Sequence, residues 1–550
     1  MNRYFAFAAL VLFSAVPAAL CAAPAPNHAA QIASLQSQYL AAETPEQRKQ
    51  FVGDLKALGK NSEDAVALNA AVAAMLPAAG STWEAEELLA IGAAIPAGQV
   101  AAGQSADSSV LAADPEFLVD ARRASEEAGS ANGDVETLAD IRIDRLQQDS
   151  QEHVGLALAH VQQLWRINNT RGARSFSPRT VLYSGISETL CMMQARILKK
   201  DGREEAATVS ADRPVVKREE AMYFDSRARD LRFLHLQPGD LVEIEYYLLP
   251  RAEANSWTGY YARIDEFKQP FSTRLQRRVL IAPSTMKLYA VARGLTPAEE
   301  REQGGDTVRT WEARGTGANS AEGRWSAGGT NLPYLHVSTI GSVEEFGRWY
   351  SQLLEPGLAL DENLQKVARQ IDARNLTPQA KAQAVYESVK RLTKYTGFEF
   401  GVHSYQPYSV STVERRGFGD CKDKAAMLVA LLRAVGVQAE FAMIRTRAAG
   451  EMAEGAYSVQ QFDHAMVFVP ELNLYLDGTG ESAAPLPSND LGAMAITVDA
   501  QGKATRRTVP ASPQHSDRMA QAQPHPENGS GAGSALQTNP SASMATAQRP

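Results

Sequence analysis

The chain of 550 residues holds only three cysteines, Cys21, Cys191 and Cys421. That excludes a fold stapled by many disulfides. It has no excess of positive charge: 55 Lys and Arg stand against 63 Asp and Glu, a net charge of -8. With no basic stripe either, nucleic acid is not an expected partner. Past the N-terminus there is no apolar run long enough to span a bilayer, so no integral membrane segment is expected in the mature chain. No clean repeat period is present. What remains is an ordinary globular composition, 44% hydrophobic and 21% charged.

The N-terminus has the form of a secretory signal over residues 1–23. Arg3 leads the apolar run YFAFAALVLFSAV, and AALCAAPAP offers small residues for cleavage after Ala22 or Ala23. The expected location is therefore periplasmic or secreted. Cleavage removes Cys21. Cys191 and Cys421 are then free to form one disulfide in an oxidising compartment, or to stay apart. Cys191 lies in SETLCMMQARILKKDGREE, a strand pattern running into an Asp201-Gly202 turn, where a buried apolar cysteine is expected.

The pattern predicts an α+β chain in several parts. Residues 24–133 are alanine-rich and helical in period, with Thr44-Pro45-Glu46 as a helix start. Residues 134–350 alternate like strands in TVLYSGISETLCMMQARILKK, GDLVEIEYYLLPR and STRLQRRVLIAPSTMKLYAVARG, which predicts a β-sandwich-like domain. Residues 351–508 place helices before strands. Residues 509–550 are rich in Ser, Pro, Gln, Ala and Gly with few large apolar residues, and are expected to be disordered.

Within 351–508, the stretch RRGFGDCKDKAAMLVALLRAVGV sets Cys421 at the start of a helix whose apolar face is Ala425, Leu428, Leu431, Leu432 and Val435, ended by Gly436. Helix N-termini carry partial positive charge and free N–H groups, which favour a thiolate and can receive an oxyanion. The neighbours Asp420, Lys422 and Asp423 are charged, which suggests that the site is not the middle of a core. On this reading Cys421 is unpaired and its thiol is depressed. Acids also suit the first turn of any helix, so the stretch alone leaves nucleophile and filler open.

A thiolate nucleophile needs a base, and His403 and His464 are the histidines of this part of the chain. His464 opens HAMVFVPELNLYLD, two strands around a short turn at Pro470-Glu471. A turn of even length sets His464 directly opposite Asp477, close enough for a carboxylate to hold an imidazole.

The motifs GFGDCKDKAAMLVALLRAVGV, FDHAMVFV and LYLDGTG, in Cys, His, Asp order, resemble the transglutaminase-like superfamily. The segments PYLHVSTIGSVEEFGRWYSQLL and KYTGFEFGVHSYQPYSVSTVERR are similar to exported bacterial members in which a β-domain of unknown function precedes the transglutaminase-like core. The resemblance covers roughly residues 135–500. It implies a papain-like core and acyl transfer through a thioester, with Cys421 as nucleophile, His464 as base and acid and Asp477 as orienter. It also suggests an oxyanion-holding aromatic, for which Tyr395 is the nearest match. The implied activity is that of a cysteine peptidase, amidase or acyltransferase on a peptide or protein substrate, without a cofactor. A catalytically silent scaffold or binding protein of the cell envelope is the alternative. A metal site of Cys421, Asp423 and His464 has no paired ligand spacing behind it, and no metal is expected.

Overall fold

The computed structural model describes residues 28–59, 65–93, 114–146, 157–250, 259–267, 269–296, 298–317, 333–480, 486 and 490–511. The expected leader at 1–23, residues 318–332 and the expected disordered tail from 512 lie outside the described residues. Among the described residues, no helix is long and apolar enough to cross a membrane.

Four helices, His28–Ala41, Pro45–Gly59, Ala65–Met75 and Thr82–Ala93, open the described chain. The start at Thr44 is a reciprocal cap: Gln47 N donates to Thr44 Oγ1 at 3.3 Å and Thr44 N to Gln47 Oε1 at 3.2 Å. Small apolar residues let the helices pack closely around Ile32, Leu55, Met75 and Leu88. The layer is fastened by buried polar contacts, Tyr39 Oη donating to Glu84 at 2.9 Å. It meets the rest of the molecule where Tyr223 Oη donates to Glu86 at 3.3 Å.

The middle of the chain is β-structure. An eight-stranded sheet runs in the order Glu299–Gln303, Asp306–Thr316, Ser272–Pro283, Val135–Leu146, Ala157–Ile167, Leu241–Pro250, Glu188–Leu198, Glu204–Ala206. All its pairs are antiparallel except Val135–Leu146 with Ser272–Pro283. Trp165, Ile197, Val242 and Ile244 of this sheet share a core with Val181 and Leu231 of a second sheet built on Arg179–Ser184 and Met222–Arg232. This is the sandwich-like layering expected from the alternation of apolar and polar residues. Cys191 sits in the Glu188–Leu198 strand, half-buried rather than buried, and both Cys191 and Cys421 are free thiols.

The last described part is helices on a sheet. Val343–Leu354, Glu362–Asp372 and Pro378–Leu392 precede the Cys421–Ala434 helix. Leu364, Ala368 and Ile371 form the buried stripe of the second. The sheet is antiparallel, in the order Leu474–Leu476, His464–Val469, Glu440–Arg445, Met494–Val498, Ala504–Thr508. Val509 is buried and its N–H bonds Ala493 O at 2.9 Å, so the ordered edge passes residue 508. One short strand leaves this unit: Gly397–Glu399 pairs in parallel with Met222–Arg232 of the middle sheet. Gly397 leaves room there for the end of the Met222 side chain, whose Sδ a Cβ would meet at 2.4 Å.

Candidate active site

Cys421 is the first residue of the Cys421–Ala434 helix, and Asp420 is its N-cap. Asp420 Oδ1 accepts from Asp423 N at 3.3 Å, and Asp423 Oδ2 accepts from Asp420 N at 3.3 Å. Gly419 lets the chain enter this tightly: a Cβ would meet Asp423 Cβ at 2.7 Å and Val413 Cγ1 at 3.0 Å. The helix ends where expected, with Gly436 at φ 77° and Val437 N bonding Leu432 O at 2.9 Å. From Cys421 to Leu432 every residue is buried.

That burial corrects one expectation. Asp420, Lys422, Asp423 and Lys424 are 1%, 1%, 3% and 4% exposed, so the charged flanks lie inside the core, not outside it. They can do so because they compensate one another. Lys422 Nζ pairs with Asp420 Oδ2, and Tyr408 N donates to Asp423 Oδ1 at 2.9 Å. Glu399 joins them. Burial pushes its carboxyl up to about 8, with Asp420 and Asp423 adding to the rise against the pull of Lys422. Asp423 is pushed up to about 7 by burial and by Asp420. A buried group of three acids and one lysine holds a proton rather than a net charge of minus two.

On the other side of Cys421 the histidine and aspartate meet. His464 Nε2 lies 3.2 Å from Asp477 Oδ2, in the geometry of an ion pair rather than a well-aligned hydrogen bond. Oδ1 of Asp477 accepts from Thr479 N at 2.9 Å and Thr479 Oγ1 at 2.7 Å, which fixes the carboxylate. The imidazole also acts on the thiol of Cys421, pulling the thiol's pKa down as the thiol raises its own.

The register differs from the expected one. Val469 pairs with Leu474 across the short helix Pro470–Leu472 and Asn473 at φ 46°, so Met466, not His464, falls in line with Asp477. The turn is two residues longer than read from Pro470-Glu471. An even slip keeps both side chains on one face, and the diagonal distance stays within reach of an imidazole. Gly478 completes the approach: a Cβ there would meet Lys424 Cβ at 3.0 Å and Leu428 Cδ1 at 3.2 Å, so glycine lets the aspartate strand rest on the Cys421 helix.

The electrostatics divide the roles. Burial opposes the imidazolium, but Asp477, the hydrogen bond to Cys421 and Asp490 outweigh it and hold His464 well above its usual range. Burial opposes ionisation of Asp477 too, and His464 with Thr479 outweighs it, so Asp477 stays below the usual carboxylate range. For Cys421 the expected depression is overturned. Burial pushes the thiol up more than the hydrogen bond with His464 pulls it down. A thiolate here therefore depends on proton transfer to His464, not on the helix terminus alone.

Tyr395 is brought to the same place. Its backbone pairs with Gly419, and the charge of Cys421 acts on its phenol, which burial holds well above its usual range and so keeps as an O–H donor. His403 stacks on Tyr408, and Asp423 turns to Tyr408 N and Asp420 N. Asp490, which no local motif marks, stands with His464 and Asp477, their polar atoms within 4.8 Å of one another.

The loop before His464 is held by the middle domain. Tyr457 N donates to Ile340 O at 2.9 Å, and Ser338 Oγ donates to Tyr457 O at 2.6 Å. Gln460 accepts from Ile264 N at 3.1 Å and donates to Ala262 O at 3.3 Å. Asp463 then clamps Thr446, accepting from its N at 2.7 Å and its Oγ1 at 2.5 Å.

A helix that presents a cysteine at its N-terminus to a histidine and an aspartate on a flanking antiparallel sheet defines a papain-like arrangement. Residues 365–471 match the model of the transglutaminase-like superfamily. Residues 155–317 match DUF3857, a domain of unknown function with a solved structure. The chain thus carries a transglutaminase-like domain preceded by a DUF3857 domain. The crystal structure of a "putative protease" from Parabacteroides distasonis is similar over 70% of this chain and 73% of that one, with 15% identity and a TM-score of 0.55. A "putative cysteine protease" from Cytophaga hutchinsonii covers 45% of this chain and 81% of its own at 14% identity, with a TM-score of 0.20 too low to argue from. No curated protein matches.

Proposed function

We propose that this is an exported thiol enzyme that cleaves or transfers an amide of a peptide or protein. The observation that carries the reading is one imidazole shared between Cys421 and Asp477 at a helix N-terminus. His464 takes the thiol proton, and Sγ attacks the amide carbonyl. In this reading Tyr395 Oη and the helix N–H groups donate to the developing oxyanion. The imidazolium returns its proton to the leaving amine as the C–N bond breaks, which leaves a thioester on Cys421. Water or a second amine then gives up a proton to His464, attacks the thioester and releases Sγ. Asp477 keeps the ring oriented throughout. Export rests on the Arg3-led leader, and N-terminal sequencing of envelope protein should begin near Ala22 to Pro24.

One observation favours a second reading, a silent scaffold of the envelope: Cys421 is only 3% exposed and its thiol is raised. Mass spectrometry of the mature protein with candidate peptides, with and without a free amine, separates the two. An acyl adduct on Cys421 that turns over supports the enzyme. Absence of any adduct, together with alkylation no faster than a model thiol at pH 6, supports the scaffold.

A further inference from the structure

We propose that Asp490 is a positioning residue for the reaction above: a second carboxylate that faces His464 beside Asp477 and stabilises the imidazolium formed when Cys421 gives up its proton. The proposal rests on the thiol-enzyme reading and adds a residue to it. No motif carries Asp490; the sheet brings it in. Ile444 pairs with His464 on one side and with Ala495 on the other. The chain entering the Met494–Val498 strand therefore passes the same end of the sheet as His464, and Asp490 lies there, 2% exposed. Its main chain makes the turn, with Ala493 N donating to Asp490 O at 3.0 Å, and the edge is closed by Gly492 N to Val509 O at 2.9 Å. The turn therefore does not need the carboxylate.

The carboxylate instead stands within 4.8 Å of both the imidazole and Asp477. Charges facing it come from His464 and Asp463 at the start of the His464–Val469 strand and from Asp477 beyond Leu474–Leu476. Those facing His464 are Cys421, Asp477 and Asp490, and Asp477 is in turn faced by Tyr386, Tyr395 and Lys424. Burial pushes Asp490 up to about 6, His464 pulling it down and Asp477 and Asp463 adding to the rise. Above that pH the imidazolium is flanked by two carboxylates, below it by one.

An opposite charge at this range moves a titration by roughly 1–3 units. In the full-length mature protein labelled with ¹³C-histidine, the His464 resonance, assigned by its loss in His464→Gln, should titrate about one unit or more lower in Asp490→Asn. The pH profile of Cys421 alkylation by iodoacetamide should lose its step near pH 6. Alkylation at pH 7 should slow about tenfold, since one unit on the imidazole is tenfold in the equilibrium for proton transfer from the thiol to it. Asp490→Glu should recover most of both. Superimposable titrations and profiles in wild type and Asp490→Asn would overturn the proposal. So would failure of both Asp490→Asn and Asp490→Glu to fold, which would make Asp490 a structural residue. If the His464 titration responds but wild-type Cys421 is no more reactive than a model thiol, the enzyme reading fails on its own.

Discussion

Two buried basic side chains flank the first turn of the same helix. His464 faces Asp477 and Asp490, and Lys422 faces Asp420, Asp423 and Glu399. Each is a basic group among acids inside a core, yet their chemistry differs. A lysine buried among acids is held well above its ordinary range and keeps its proton. The imidazole has two nitrogens and joins a donor on one side to an acceptor on the other. Lys422 is thus a fixed charge that anchors Asp420 and the turn below Cys421, and His464 is a transferable one above it. Because both groups are dry, neither can be read as a surface ion pair.

The largest effect should come from breaking the transferable side. Asp477→Asn should lower turnover by roughly 10²–10⁴-fold, the range of a positioned acid–base group, with a smaller loss in the rate of Cys421 alkylation. Steady-state kinetics beside iodoacetamide rates would show it. Equal losses in both would mean that Asp477 acts on the thiol and not on the proton shuttle.

Breaking the fixed side should cost the fold first. Lys422→Met leaves Asp420 buried without its cation, a change of about 3–5 kcal/mol in urea unfolding. Adding Asp420→Asn should restore part of it, a non-additivity that a simple packing defect would not give.

The proton on the fixed side can be tested by pH. The folded carboxyl of Glu399 is raised to about 8 from 4.5, so the folded chain binds that proton more tightly than the unfolded chain does. The stabilisation is full below about pH 4.5 and is lost as pH rises toward 8. Glu399→Gln keeps a neutral donor there, so its melting temperature should gain on wild type between pH 5 and 8. A constant difference across that range would show Glu399 ionised in the fold.

Two smaller changes bound the comparison. Gly478→Ala should push the aspartate strand off the helix at a cost of about 1–3 kcal/mol and slow turnover without changing the thiol's environment. Cys191→Ser, in a strand of the middle domain, should leave alkylation of Cys421 unchanged.

Much of this site was legible in the sequence because it is local or periodic. Cys421, the apolar stripe to Val435 and the stop at Gly436 lie within one helix. His464 and Asp477 share a hairpin whose period of two protected the reading even though the turn is longer than expected. The charged flanks were misread because a charge in a sequence is normally a sign of water. Lys422 is kept dry by its pair with Asp420, and Glu399, which completes the buried group, is remote in the chain and arrives on a strand shared with the middle domain. Asp490 gives no signal at all, since only the pairing of Met494–Val498 with Glu440–Arg445 brings it to the histidine. The sandwich was visible from alternation, but not the pairing of Gly397–Glu399 with Met222–Arg232, which joins strands too far apart for any pattern to link.

That shared strand has a consequence for anyone who cuts the gene. The Cys421 side of the site hangs on Met222–Arg232 through Gly397–Glu399, and the His464 side hangs on Ile340, Ser338 and Ile264 through Tyr457 and Gln460. A fragment beginning at residue 351 would keep all three proposed catalytic side chains and lose the supports on both sides of them. The smallest portable cassette is therefore the transglutaminase-like unit together with its β-domain, and chimaeras should exchange the two as one piece.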